Sequence, residues 1–184
     1  AASDVYKRQI PHIRHIITTN YDTLIEDAFG PDNCYVVRTT DDCVNLPKDK
    51  TIVYKIHGDF TKKDNIILTK QDYTNFFSSN NEPLLWKYIQ SHILTNDMLF
   101  IGYSLEDSNI FTLIQEIRKQ VKVDTRKYFL IAPGLYHHKI KRLAKTKIKY
   151  FNAKAEDLFP VLFETLNKKI KSDYQRKYIC SVSY

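Results

Sequence analysis

Short β-branched or apolar runs alternate along this chain with stretches whose apolar residues return every three or four positions. The strand-like runs cover residues 15–19, 35–38, 51–57, 65–68, 98–102, 128–132 and 148–151. Between them lie helical patterns. One opens near Thr23 and carries Leu24, Ile25 and Phe29. A second places Leu84, Leu85, Tyr88, Ile89, His92 and Ile93 on one face, and a third Ile110, Leu113, Ile114, Ile117 and Val121. The last shows Leu158, Phe159, Leu162, Phe163, Leu166 and Ile170. Pro83 suits the first turn of its helix, Pro133-Gly134 stops a strand, and residues 78–81 read as a loop. Strands that alternate with helices predict an α/β fold: a Rossmann-like parallel sheet with helices on both faces.

The chain has 184 residues, 43% of them hydrophobic and 27% charged, an ordinary globular balance. That length suits one domain able to bury roughly 70% of its unfolded surface. No apolar run approaches the ~20 residues that span a bilayer, and no signal-peptide pattern opens the chain. Cys34, Cys43 and Cys180 are too few and too irregularly spaced for a disulfide framework or a four-thiolate zinc site, which fits a reducing, cytoplasmic setting. No histidine pair has convincing metal spacing, and no metal is expected.

The net charge of +7 is uneven: residues 116–184 hold 17 Lys and Arg against 6 Asp and Glu. Such a region can meet nucleic acid or an acidic partner; the plainer reading is a solvated lysine-rich surface. Residues 1–9 and 179–184 continue no neighbouring pattern and read as foreign sequence. The expected domain therefore covers residues 10–171, with 172–184 a tail that is non-native from 179.

Three segments close strands with polar side chains, and in open α/β sheets that edge holds the ligand. The first is Thr18-Thr19-Asn20-Tyr21-Asp22. Asp22 can serve a ligand, or simply cap the helix that follows. The second is Ile56-His57-Gly58-Asp59, where Gly58 lets the chain turn and His57 has the pKa range of a general base near neutral pH. His12, His15 and His92 look structural instead, and His137-His138 looks like a solvated helix start. The third is Gly102-Tyr103-Ser104-Leu105; Gly102 permits close approach of a ligand, and Ser104 offers a hydroxyl to a ribose or phosphate, or a cap to a helix. Only Gly30, Gly58, Gly102 and Gly134 are present, so no G-x-G-x-x-G loop is available.

In this order and at strand ends, Thr-Thr-Asn-Tyr-Asp-x-Leu-Ile-Glu, Ile-His-Gly-Asp and Phe-Ile-Gly-Tyr-Ser-Leu resemble the sirtuin family. The likeness is strongest to its zinc-free bacterial branch, whose domains degrade NAD in anti-phage defence, and it covers roughly residues 13–171. The resemblance implies a sirtuin-like NAD-binding fold with NAD+ as substrate and no metal. It implies that Asn20 positions water or the nicotinamide ribose, that Asp22 holds the carboxamide and that His57 is the base. Thr19 stands where the family has Gln, on the ribose side, while Gly102, Tyr103 and Ser104 line the adenosine side. The family's four-cysteine module is absent after the His-Gly segment, and residues 68–73 stand there instead. Its Gly-Ala-Gly-x-Ser segment is absent too, so the expected sheet lacks its first strand and glycine-rich loop.

The expected activity is therefore NAD glycohydrolysis by the effector domain of a defence protein, weak in so truncated a chain. A homo-oligomer, or a fused or associated sensor domain, is the expected partner. NAD-dependent protein deacylation and a non-catalytic nucleotide- or nucleic-acid-binding module are the competing expectations.

Overall fold

The computed structural model describes residues 13–62, 66–67, 72, 84–103, 126–144, 146 and 148–175. In chain order they form β1 (His15–Thr18), α1 (Leu24–Phe29), β2 (Cys34–Val37), a 3₁₀ turn (Asp41–Cys43), β3 (Thr51–Lys55), α2 (Leu84–Thr95), β4 (Met98–Ile101), β5 (Tyr128–Ile131), α3 (His137–Ala144), β6 (Ile148–Phe151) and α4 (Ala155–Gln175). The strands make two three-stranded parallel sheets, ordered β1-β3-β2 and β4-β5-β6.

β3 is central in the first sheet, and every one of its residues is buried. This explains its nearly continuous apolar run: a parallel strand covered on both faces has no solvent side to mark with polar residues. Its alternate side chains divide between two apolar clusters. Ile52 and Tyr54 join Leu85, Trp86, Ile89 and Ile93 of α2, whereas Val53 packs with Ile25 and Phe29 of α1 and with Cys34. Helices thus cover both faces of this sheet, as the alternation predicts. The α2 cluster also takes in Tyr128 and Leu130 of β5, Leu143 of α3 and Ile148 of β6, so one core serves both sheets. The Tyr128 hydroxyl donates to the Ile93 carbonyl at 2.7 Å and fixes β5 against α2.

Partner residues Thr18 and Lys55 end β1 and β3 side by side, and Val37 of β2 pairs with Tyr54. Three loops therefore leave one sheet edge together. The predicted strand over residues 51–57 is shorter than expected. It stops at Lys55, because Ile56 and His57 enter a turn in which the Gly58 N–H donates to the Lys55 carbonyl at 3.0 Å. Gly58 has φ of 76°, a conformation that a β-carbon disfavours. β1 likewise ends one residue before Thr19. Of the expected strand over 65–68, residues 66 and 67 carry no strand and the others lie outside the described residues. The helix expected over 110–121, the loop over 78–81 and Pro83 also lie outside them. Cys34 and Cys43 are buried free thiols, and burial pushes both above the ordinary thiol range.

A candidate active site at the carboxyl edge of the sheets

Each expected site residue that is described stands just past a strand end. Asn20 and His57 each follow by two residues the in-register pair Thr18 and Lys55. The bend after β1 is set locally, since the Asn20 N–H donates to the Thr18 hydroxyl at 3.1 Å. Asn20 is exposed, whereas His57 keeps only 6% of its surface. Tyr21 links the two segments. Its ring lies 6.1 Å from that of His57 and 5.7 Å from that of Phe60, and its carbonyl accepts the Phe60 N–H at 3.2 Å. Its hydroxyl donates to the Ile67 carbonyl at 2.7 Å, while the Ile67 N–H donates to the His57 carbonyl at 3.0 Å. The imidazole is thus enclosed, and one side of its pocket is aromatic.

The N-cap of α1 is Thr23, which makes no side-chain cap bond; Asp22, one residue earlier, accepts the Leu24 N–H on Oδ1 at 3.2 Å in a local turn at the helix start. The second carboxylate oxygen retains acceptor capacity. Thr19 is half-buried at the end of β1. Gly102, with φ of 67°, turns the chain after β4 and donates its N–H to the Ile131 carbonyl at 3.0 Å. Tyr103 folds back against the core beside Phe100. Ser104 lies outside the described residues. Gly102 also lines an open cavity of about 290 Å³, together with Ile131, Pro133, Lys154, Ala155 and Glu156. The cavity therefore gathers the ends of β4 and β5 and the start of α4. Pro160, inside α4, supplies no N–H to the Glu156 carbonyl four residues earlier.

Two buried ion pairs beneath these loops are not assigned in the sequence reading. Lys55 is 1% exposed; it lies 3.0 Å from Glu26 Oε1 of α1 and donates to the Asp22 carbonyl, so it anchors the Asn20–Asp22 bend from below. Its signal in the sequence is a lysine inside a buried run, which a protein tolerates only with a partner. Asp59 is fully buried and receives the Arg38 Nε–H, the Thr61 hydroxyl and the Thr61 N–H, the last at 2.8 Å. Burial alone would raise the Asp59 carboxyl, but these donors and the Arg38 charge hold it below the ordinary carboxylate range. Arg38 and Asp59 stand 21 residues apart on different crossovers, so no local pattern joins them.

Among the described residues no group of three or more His, Cys, Asp or Glu side chains could hold a metal ion. No described helix is long and apolar enough to cross a membrane. The edge of the first sheet offers an enclosed imidazole and an exposed amide, and the edge of the second an open cavity.

A family model described as "SIR2-like domain" matches residues 14–151. Defense-associated sirtuin 2 of Bacillus subtilis is 37% identical over 122 residues, which is 64% of this chain and 12% of that protein. The NAD(+) hydrolase ThsA of Cytobacillus dafuensis is 30% identical over 146 residues, 76% of this chain and 29% of that protein. ThsA of Bacillus cereus (strain MSX-D12) is 31% identical over 119 residues, covering 62% and 24% respectively. The chain thus spans less than a third of the length of these curated relatives.

Proposed function

This chain belongs to the SIR2-like domain family, and we propose that it is the NAD+-cleaving part of a bacterial anti-phage defence protein. Relatives named as NAD(+) hydrolases and as a defence-associated sirtuin support that reading. The reaction is hydrolysis of the bond between nicotinamide and ribose: water adds at the ribose carbon, nicotinamide leaves with the bonding electrons, and one proton is released. An oxocarbenium-like transition state, as in glycoside hydrolysis, asks for an enclosed wall, a placed water and a base.

The observation that carries the reading is that Asn20 and His57 follow the ends of neighbouring in-register strands, with the Tyr21 ring beside the imidazole. Asn20 would orient the water or the ribose, and His57 would take the proton. Asp22 would use its remaining acceptor capacity on the carboxamide, with Thr19 beside the ribose. The adenosine half would occupy the cavity at Gly102, flanked by Tyr103 and Ser104, where the Glu156 carboxylate can accept from ribose hydroxyls. The rest of the protein would supply a sensor domain or the contacts of a homo-oligomer. Two buried free thiols suit a cytoplasmic NAD+ pool.

Nicotinamide release from NAD+ by the intact protein, followed by chromatography, tests the proposal. Replacing His57 by Ala should lower the rate by about 10²–10⁴-fold. Asn20→Ala should cost at least as much if water placement dominates. Unchanged rates in both variants would refute the site. Release only in the presence of an acylated peptide would replace hydrolysis by deacylation.

A further inference from the structure

We propose that the Arg38–Asp59 pair, whose carboxylate is fully buried, is a positioning device for His57, an inference that rests on the hydrolase reading above. Asp59 lies two residues after His57, just past the turn that Gly58 closes and at the start of the next one, where it bridges Lys62; it has no exposed surface. Its carboxylate is tied in two directions. Oδ2 receives the Arg38 Nε–H from the loop after β2, and Oδ1 receives both donors of Thr61. The Asp59 carbonyl accepts the Lys62 N–H at 3.3 Å, and the adjacent Phe60 N–H reaches the Tyr21 carbonyl in the loop after β1.

Arg38 is fixed in turn, because its N–H donates to Asp42 Oδ2 at 2.8 Å, as does that of Thr39 at 2.9 Å. Burial would raise the Asp42 carboxyl, but those two N–H groups, the Thr39 hydroxyl and the charge of Lys62 hold it below its ordinary value. The Asp59 carboxylate therefore joins the loops after β2 and β3, and the neighbouring Phe60 N–H ties in the loop after β1. A buried charge this well satisfied fixes a geometry more than it adds stability, since its desolvation cost offsets much of the attraction. The geometry it fixes is the turn that presents His57. Arg38 and Asp59 need not touch NAD+ for this; they act through the backbone on either side of the imidazole.

The test compares Asp59→Asn, Arg38→Ala and Arg38→Lys in the intact protein. Asp59→Asn keeps the shape and removes the charge, and Arg38 is 20% exposed, so its loss is the milder disturbance. Displacing a base by an ångström is enough to cost on the order of 100-fold. We expect Asp59→Asn and Arg38→Ala to lower kcat about 10–100-fold with little change in KM for NAD+. Arg38→Lys should retain more activity than Arg38→Ala, and guanidinium at millimolar concentration should restore part of the Arg38→Ala rate.

Equal kcat in all variants, or a loss confined to KM, overturns the inference. If Asp59→Asn does not fold, guanidinium rescue of Arg38→Ala decides, and failure of rescue counts against the device. Should the wild-type protein release no nicotinamide, the hydrolase reading falls. The His57 ring signals in ¹H–¹⁵N spectra then decide the positioning role: extra or broadened signals in Arg38→Ala support it, and an unchanged single set sinks it.

Discussion

Acid should weaken this fold well before its carboxylates protonate, and the cause is His92. Its ring, on α2, lies 4.0 Å from the ring of His15 on β1, and its Nε2 is 3.0 Å from the Tyr54 hydroxyl of β3. Burial pushes the tyrosine up to about 12, so it keeps its proton and can share a hydrogen bond with either tautomer of the neutral ring. Burial first, and the neighbouring His15 second, lower His92 to about 4. Partial desolvation of its ring, with the charge of Arg14, lowers the more exposed His15 as well.

The unfolded chain takes up this proton near pH 6.5, whereas the folded chain resists it to about 4. Stability from the neutral ring is complete above pH 6.5 and is lost as pH falls toward 4. At pH 5 the loss amounts to about 2 kcal/mol for this one group. With urea slopes of ~1–3 kcal/mol/M, the midpoint should drop by about 1 M between pH 7 and pH 5. His92→Gln keeps an acceptor for Tyr54 but cannot titrate, so its midpoint should fall distinctly less over that interval. Identical pH slopes in wild type and variant, or a midpoint that rises on acidification, would refute the reasoning. Asp42 and Asp59 do not confuse the test, because their depressed carboxyls protonate below this window.

Lys55→Met should destabilise the protein by about 3–5 kcal/mol in urea melts, because it leaves Glu26 without its buried partner. Its nicotinamide release should fall in parallel, since the Asp22 carbonyl loses its donor. Ile89→Ala, at a position 1% exposed between the two sheets, should cost about 2–5 kcal/mol in the same melts. Thr18→Val should spare stability to within about 1 kcal/mol while lowering activity, because it removes the acceptor that bends the chain at Asn20. Equal activity in Thr18→Val and wild type would show that this bend is held by other means.

The parallel α/β design was legible because β-branched runs such as Ile52-Val53 are long enough to survive without a polar face. The limits of those runs were less so. Ile56 is buried and apolar, yet it belongs to a turn, and burial alone does not distinguish a turn packed under loops from one more strand residue. Asn20, Asp22 and His57 could be proposed from the sequence because each sets a polar group just past an apolar, β-branched run. Arg38 and Asp59 could not be joined in the same way, since their pairing depends on how two crossovers return to one edge. Asp22 stands one residue before the N-cap Thr23 and uses Oδ1 on the Leu24 N–H, so its proposed role toward the carboxamide falls to the remaining oxygen.

β3 alternates two kinds of surroundings: Tyr54 faces Trp86 and Ile89, and Lys55 faces Glu26. Sliding this strand by a single residue would drive an ammonium group into the greasy side and strand a carboxylate on the other. The lysine thereby acts as a key that rejects every odd-numbered misalignment. A chain caught in such a misalignment would carry its imidazole off the edge at the same moment, so under the proposed function misfolded copies would be silent ones.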